Sequence, residues 1–277
     1  MRLTIDEILD SGSKRRPVVM GILNVTPDSF SDGGMFMSPA LAWDQAREMI
    51  EAGADIIDIG AESTRPGSDR VSAADQIARI SGVIARVVDT GVVVSIDTTL
   101  SMVAEFALDA GAEIINDVSA GRDDPLMLPL AGERNASIIL MHMLGEPKTM
   151  QNNPQYNDVV AEVADFLAQR VNAAVTAGVS RKRCIIDPGI GFGKTLEHNL
   201  EIIANLDKLA QMNLPIMVGP SRKRFIGELT DEAIPENRTA GTLAACLESF
   251  RRGASIFRVH DVREVKQALA VASSLPQ

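Results

Sequence analysis

Cysteine is nearly absent: Cys184 and Cys246 are the only two in 277 residues, and no C-x-x-C spacing occurs. That argues against a disulfide framework or a cysteine-built metal site and suits a reducing cytoplasm. Three histidines are present, with no HExxH or paired spacing, so zinc is not expected. Tryptophan occurs once, at Trp43, where it reads as packing. Basic residues are outnumbered, 27 Lys+Arg against 37 Asp+Glu, for a net charge of −10. A nucleic-acid surface is therefore not expected, although a local basic cluster can still bind a small anion. No apolar run approaches the ~18 residues of a membrane span. The N-terminal stretch MRLTIDEILDSGSKRRP lacks the apolar core of a signal peptide.

What is present is a repeated phrase: helix-like residues, Gly, a small or β-branched residue, a short apolar run, then polar residues. It reads EAGADIIDIGAEST from Glu51, DTGVVVSIDTT from Asp89, DAGAEIINDVSAG from Asp109 and RRGASIFRVHD from Arg251, with a looser copy from Thr176. Gly suits a helix C-terminus because it enters the left-handed region without strain. The apolar runs are too short for helices and suit strands buried on both faces. Such a repeat predicts an α/β fold, a single-domain (β/α)8 TIM barrel whose active site lies at the C-terminal ends of the strands. The length of 277 residues suits a barrel of about 250. The runner-up is an open doubly wound sheet, which concentrates its site at one switch point.

Eight strands are expected: Val18–Leu23, Ile56–Ile59, Val92–Ile96, Glu113–Ile115, Ser137–Met141, Cys184–Ile186, Pro215–Val218 and Ser255–Phe257. The first helix should begin near Ser38-Pro39, an N-cap followed by Pro. A helix within residues 155 to 177 is the clearest. Residues 1–16 form an N-terminal extension expected to cover the barrel bottom, and 17–277 the barrel domain.

The strand tips carry the chemistry. Asn24 ends strand one; it is either a polar cap or a neutral oxygen ligand for Mg²⁺, which keeps few protein ligands when phosphates supply the rest. Arg258 and His260 alternate with Val259 and so share one side of strand eight. With Ser221, Arg222, Lys223 and Arg224 they make a cationic region where barrels bind phosphate. Ser221 is also placed to cap the next helix. Asp97, Asn116 and Asp187 end strands three, four and six. Carboxylates accept and Asn does both, which suits an aminopyrimidine-like edge. GIGFGKT from Gly189 imitates a phosphate loop, but Pro188 stands where the pattern needs Gly. Phe192 either stacks on a ring or fills core space. His142 reads as structural, and His198 as an exposed helix residue without a role.

These motifs are familiar together. GILNVTPDSFSDGG from Gly21, DIGAESTRPGS from Asp58, SIDT from Ser95, NDVSAG from Asn116, DPGIGFGKT from Asp187, GPSRKRFIG from Gly219 and RVHD from Arg258 resemble the bacterial dihydropteroate synthases. The resemblance runs in order over almost the whole chain. It implies a transferase of folate biosynthesis that joins 4-aminobenzoate to (7,8-dihydropterin-6-yl)methyl diphosphate and is a target of sulfonamides. It implies Mg²⁺ at Asn24. It implies pterin diphosphate contacts at Thr64, Asp97, Asn116, Met143, Asp187, Phe192, Gly219, Lys223, Arg258 and His260, of which Asp97, Lys223, Arg258 and His260 carry the catalysis. Phe30, Asp32, Thr64, Arg65, Pro66, Ser221 and Lys223 would contact 4-aminobenzoate or close over it. A homodimer is implied too, through the last helices. Arg224 departs from the small polar residue often found there, close to where the aminobenzoate carboxylate is expected.

Two other functions compete. A corrinoid-type methyltransferase barrel would share the pterin contacts but needs no diphosphate site. A sensor of a phosphorylated metabolite would need no turnover.

Overall fold

Every predicted apolar run becomes a parallel strand. They are β1 (Val18–Asn24), β2 (Ile56–Gly60), β3 (Val93–Asp97), β4 (Ile114–Asp117), β5 (Ser137–Met141), β6 (Cys184–Asp187), β7 (Met217–Val218) and β8 (Ile256–Val259). The computed structural model describes residues 2–12, 16–26, 38–62, 70–146 and 148–275. Among these, the helices are α1 (Ile5–Leu9), α2 (Pro39–Glu51), α3 (Ala73–Ser81), α4 (Ile84–Val88), α5 (Ser101–Asp109), α6 (Met127–Glu133), α7 (Val159–Thr176), α8 (Leu196–Ala204), α9 (Leu206–Ala210), α10 (Arg224–Thr230), α11 (Thr239–Arg251) and α12 (Val262–Ser274). The glycines of the repeated phrase, Gly53, Gly91, Gly111, Gly178 and Gly253, all have φ between +73° and +105°, the conformation a helix exit needs.

Strand order runs β6-β5-β4-β3-β2-β1-β8-β7. The parallel bridge Ile186–Ile216, with the Ile186 N–H donating to the Pro215 carbonyl at 3.0 Å, joins β6 to β7. The sheet therefore closes into a (β/α)8 barrel, and the open-sheet alternative falls. Strand seven is shorter than the expected Pro215–Val218: Pro215 has no N–H to give a ladder, and Ile216 makes only an isolated bridge.

Alternation sorts the side chains. Val19, Ile57, Ile59, Val94, Ile96, Ile115, Ile138, Ile186, Phe257 and Val259 face the helices. Val18, Met20, Ile56, Val93, Ile114, Ile139, Ile185, Met217 and Ile256 fill the interior, and Leu3 and Ile8 join them. The segment that carries Leu3 and Ile8 thus packs against the apolar plug of the barrel. Thr4 caps α1, and Glu7 returns the bond to the Thr4 N–H. Ser38 caps α2 with Pro39 at its first position.

The two strand faces set up the site. Two residues further along the inward face, Ile56 gives way to Asp58, Ile114 to Asn116, Ile185 to Asp187 and Ile256 to Arg258. The apolar plug ends, and a polar mouth begins one pleat above it.

Candidate active site

Arg258 is the hub of the mouth. Its Nε donates to Asp58 Oδ2 at 2.6 Å and its Nη2 to Asp97 Oδ2 at 2.7 Å. Asn116 Nδ2 donates to the same Asp58 oxygen at 3.0 Å. Burial works against the Arg258 charge, but Asp58 and Asp97 outweigh it and raise its pKa. The Asp97 carboxyl is raised by burial, with Arg258 pulling it back. The other oxygen of Asp58, Oδ1, is buried with no hydrogen-bond partner among the described residues.

One side of the mouth is built by the tips of β3, β4 and β6. Asp97, Asn116 and Asp187 line one cleft with Phe192, Gly219, Lys223 and Arg258, and Val118, Met141, Ile190 and Met217 complete it. The Gly189 N–H donates to Asp187 Oδ1 at 2.7 Å and fixes that carboxylate. Burial raises the Asp187 pKa to about 6, against the Gly189 N–H and the charges of Lys223 and Lys194. Lys223 Nζ stands 4.1 Å from the Phe192 ring centroid, a cation–π contact. Its stem lies along Gly191, where an added Cβ would meet Lys223 Cδ at 3.0 Å.

At the other end, Ser221 Oγ lies 3.0 Å from His260 Nδ1 and accepts the His260 backbone N–H at 3.2 Å. Burial and the nearby Arg222 and Arg258 push the imidazole down to about 3, so it is neutral at pH 7. Ser221 does not cap a helix: α10 begins after Lys223 and has no side-chain cap. The basic run also divides. Arg222 pairs with Asp261 at 2.6 Å, and Arg224, 84% exposed, pairs with Glu228 at 2.6 Å. Arg224 therefore points to solvent, and only Lys223 of the three cations lines the cleft.

Met143 does not line it either. It packs behind the wall with Val118, Met141, Met150 and Phe192. Phe30, Asp32, Thr64, Arg65 and Pro66 lie outside the described residues. Asn24, half-buried, ends β1 beside Asp97: a Cβ on Gly60 would stand 3.7 Å from Asn24 Oδ1 and 3.6 Å from Asp97 Oδ2. Among the described residues no group of three His, Cys, Asp or Glu could hold a metal. One amide oxygen at the rim fits a hard cation whose remaining ligands are phosphate and water.

Three residues escape the sequence reading. Asp58 interrupts an apolar strand on its inward side, and that interruption is the signal. Lys194 is buried at the tip of β5. His198 is not idle: with Thr195 it forms the capping box of α8. A larger cleft of about 220 Å³ opens at the opposite face of the barrel, beside Glu113, Arg134 and Arg183. Arg134 is already paired there with Asp109 and Glu105.

Fold and site together define a barrel enzyme whose mouth carries a carboxylate-and-amide edge at one end and the cationic Arg258 beside His260 at the other. Comparison with known proteins agrees. The family model described as pterin binding enzyme matches residues 20–260. The dihydropteroate synthase of Neisseria meningitidis serogroup B is 47% identical, over 94% of this chain and 93% of its own. The structure of Xanthomonas albilineans dihydropteroate synthase with 4-aminobenzoic acid superposes with a TM-score of 0.88 at 43% identity, covering 96% of this chain and 98% of that one. A Yersinia pestis dihydropteroate synthase structure with a sulfonamide drug complex gives 0.89 at 40% identity, covering 94% of each. The chain belongs to the pterin-binding enzyme family and, within it, to the dihydropteroate synthases.

Proposed function

We propose that the chain condenses (7,8-dihydropterin-6-yl)methyl diphosphate with 4-aminobenzoate to 7,8-dihydropteroate by a dissociative substitution at the pterin methylene. The observation that carries this reading is the mouth itself: Arg258 held between Asp58 and Asp97, with His260 on one side and the Asp187–Lys223 edge on the other. Asp187 and Asn116 hold the ring edge, and Lys223 with Phe192 reaches it from the other side. Arg258 and the N–H of the neutral His260 ring take the diphosphate charge as the carbon–oxygen bond breaks and its electron pair leaves with the phosphate. Mg²⁺ held at Asn24 would neutralise part of that charge. The Asp97 carboxylate offsets the cation left on the methylene. The neutral arylamine attacks without a general base, and its proton is lost after the carbon–nitrogen bond forms.

Diphosphate release with Mg²⁺ and the pterin diphosphate, followed with and without 4-aminobenzoate, tests this. Slow release without 4-aminobenzoate, and dihydropteroate only with it, are expected. An absolute requirement for 4-aminobenzoate before any carbon–oxygen cleavage would sink the dissociative route. Sulfamethoxazole should slow product formation competitively with 4-aminobenzoate, and an unchanged rate at high drug would remove that assignment.

A pH dependence follows from Asp187. The ring edge needs its carboxylate ionised. In the unliganded protein this group titrates at about 6, so pterin affinity holds above that value. Below it, affinity falls by about tenfold per pH unit. Titration calorimetry at pH 5 and pH 8 checks this, and equal affinities would exclude Asp187 as an ionised acceptor.

No described helix is long and apolar enough to cross a membrane. The thiols of Cys184 and Cys246 are free and buried, which supports a reducing cytoplasm. We further infer a homodimer through the last helices, on the strength of Val271 and Leu275, 63% and 57% exposed. Sedimentation at the mass of a single 29.7 kDa chain would overturn it.

A further inference from the structure

GIGFGKT matches a phosphate-binding loop at all but its first position, yet the mechanism above gives its lysine no work. Lys194 is 3% exposed. A buried ammonium is costly unless each of its three N–H donors is met. Here each has an acceptor: His142 Nδ1 at 2.9 Å, the Phe192 carbonyl at 2.9 Å and the His142 carbonyl at 3.4 Å. Among the described residues no carboxylate forms an ion pair with it. His142 can accept at Nδ1 only as the neutral ring. Burial, together with Lys194 and Arg122, pushes that ring down to about 3, while burial lowers the Lys194 amine itself to about 7 against the pull of Asp187.

Two of the acceptors sit just past the tip of β5 and one in the loop after β6. The amine therefore ties those two tips together. Tyr156 Oη and Gln151 Nε2 hold the same loop from outside, through the carbonyls of Gly193 and Gly191 at 2.8 and 2.7 Å. Lys194 fastens the carbonyl of Phe192 itself. The Phe192 ring then packs on Met141, Met143 and Val118 and stands under Lys223 Nζ. Methionine would fill the same space as Lys194 without the desolvation cost, so packing alone does not account for a lysine there.

We propose that Lys194 is a positioning residue of the pterin pocket: it sets the Phe192 ring, and through that ring Lys223, against the face of the heterocycle. The assignment rests on the dihydropteroate synthase reading.

The test compares Lys194→Met, Phe192→Leu and the double variant by kcat, the KM of each substrate and thermal midpoint. Lys194→Met should raise the KM for pterin diphosphate about tenfold, the scale of one lost charge-assisted hydrogen bond. The KM for 4-aminobenzoate should rise by clearly less, because Lys194 reaches that substrate only indirectly, through Lys223. The double variant should be no worse than the worse single one, since both act through one ring. Multiplicative losses, or equal shifts in both KM values, would overturn the assignment. The ¹⁵N signals of the His142 ring give a reading free of turnover. An unprotonated Nδ1 in the native protein is expected, and a protonated Nδ1 would overturn the clamp even if Lys194→Met failed to fold. Absence of dihydropteroate from the native protein would instead overturn the function, with the clamp still judged by the ring signal.

Discussion

Arg258→Met should lower kcat/KM by about three orders of magnitude and the thermal midpoint by about 10 °C at pH 8. The size of both effects comes from one fact. Arg258 bridges Asp58 and Asp97, which are 0% and 6% exposed, through bonds of 2.6 and 2.7 Å. Methionine keeps the bulk and removes the charge. Two buried carboxylates are left facing each other, and breaking a buried pair from one side costs about 3–5 kcal/mol. On the proposed mechanism, catalysis loses the cation assigned to the diphosphate and also the clamp that aims Asp97. The sign with pH is fixed. Without the guanidinium, the folded-state pKa of Asp97, already raised by burial and held back by Arg258, rises further above the unfolded value of about 3.9. The folded variant then holds protons that the unfolded chain has lost, so its deficit is fully present at high pH and shrinks as pH falls towards 4. Adding Asp58→Asn to the variant should recover part of the stability and none of the activity. A thermal midpoint at pH 8 equal to that of the native protein would remove the hub.

Gly189→Ala should be nearly as damaging, without touching a charge. Gly189 has φ +68°, and an added Cβ would stand 1.9 Å from the His142 carbonyl oxygen. That oxygen cannot step aside cheaply. The His142 N–H donates to the Asp187 carbonyl at 2.9 Å, and the oxygen itself accepts from Lys194. The left-handed backbone adds about 1–2 kcal/mol for any side chain. The loop must therefore move, and the Gly189 N–H bond that fixes the Asp187 carboxylate moves with it. A total cost of about 4 kcal/mol or more is expected, seen as low soluble yield and a lowered midpoint. Surviving protein should bind pterin at least about tenfold more weakly, the scale of one lost bond to a charged group. Gly219→Ala is the control: its φ is not in the left-handed region, and the nearest atoms to its Cβ are 3.8 Å away. Its midpoint should stay within about 2 °C, as ordinary contact predicts. Equal losses in the two variants would show that neither conformation nor contact matters at Gly189.

Much of this was legible in the chain. Local rules write the repeated phrase, because a helix exit needs Gly and a barrel strand needs a short apolar run. The residue that ends such a run must stand at the barrel rim, so Asn24, Asp97, Asn116, Asp187 and Arg258 could be placed from position alone. The alternation of Arg258, Val259 and His260 gave their facing. Other features carry no local mark. Asp58 looks like an interruption of IIDIG until Arg258, 200 residues away, reaches it. The basic run after β7 looks uniform, yet Asp261 and Glu228 withdraw Arg222 and Arg224 and leave Lys223 to the cleft. Lys194 belongs to a failed phosphate motif by sequence and to a clamp with His142, 52 residues away, in space.

The sequence by itself determined the strand count and the rim residues, because periodicity and backbone chirality act over a few residues, whereas closure of the sheet rests on the Ile186–Ile216 bridge between β6 and β7. The tertiary structure decided which charges meet. Ion pairs and buried hydrogen bonds depend on distances of 3 Å between segments far apart in the chain, and only closure of the sheet brings those segments to one mouth.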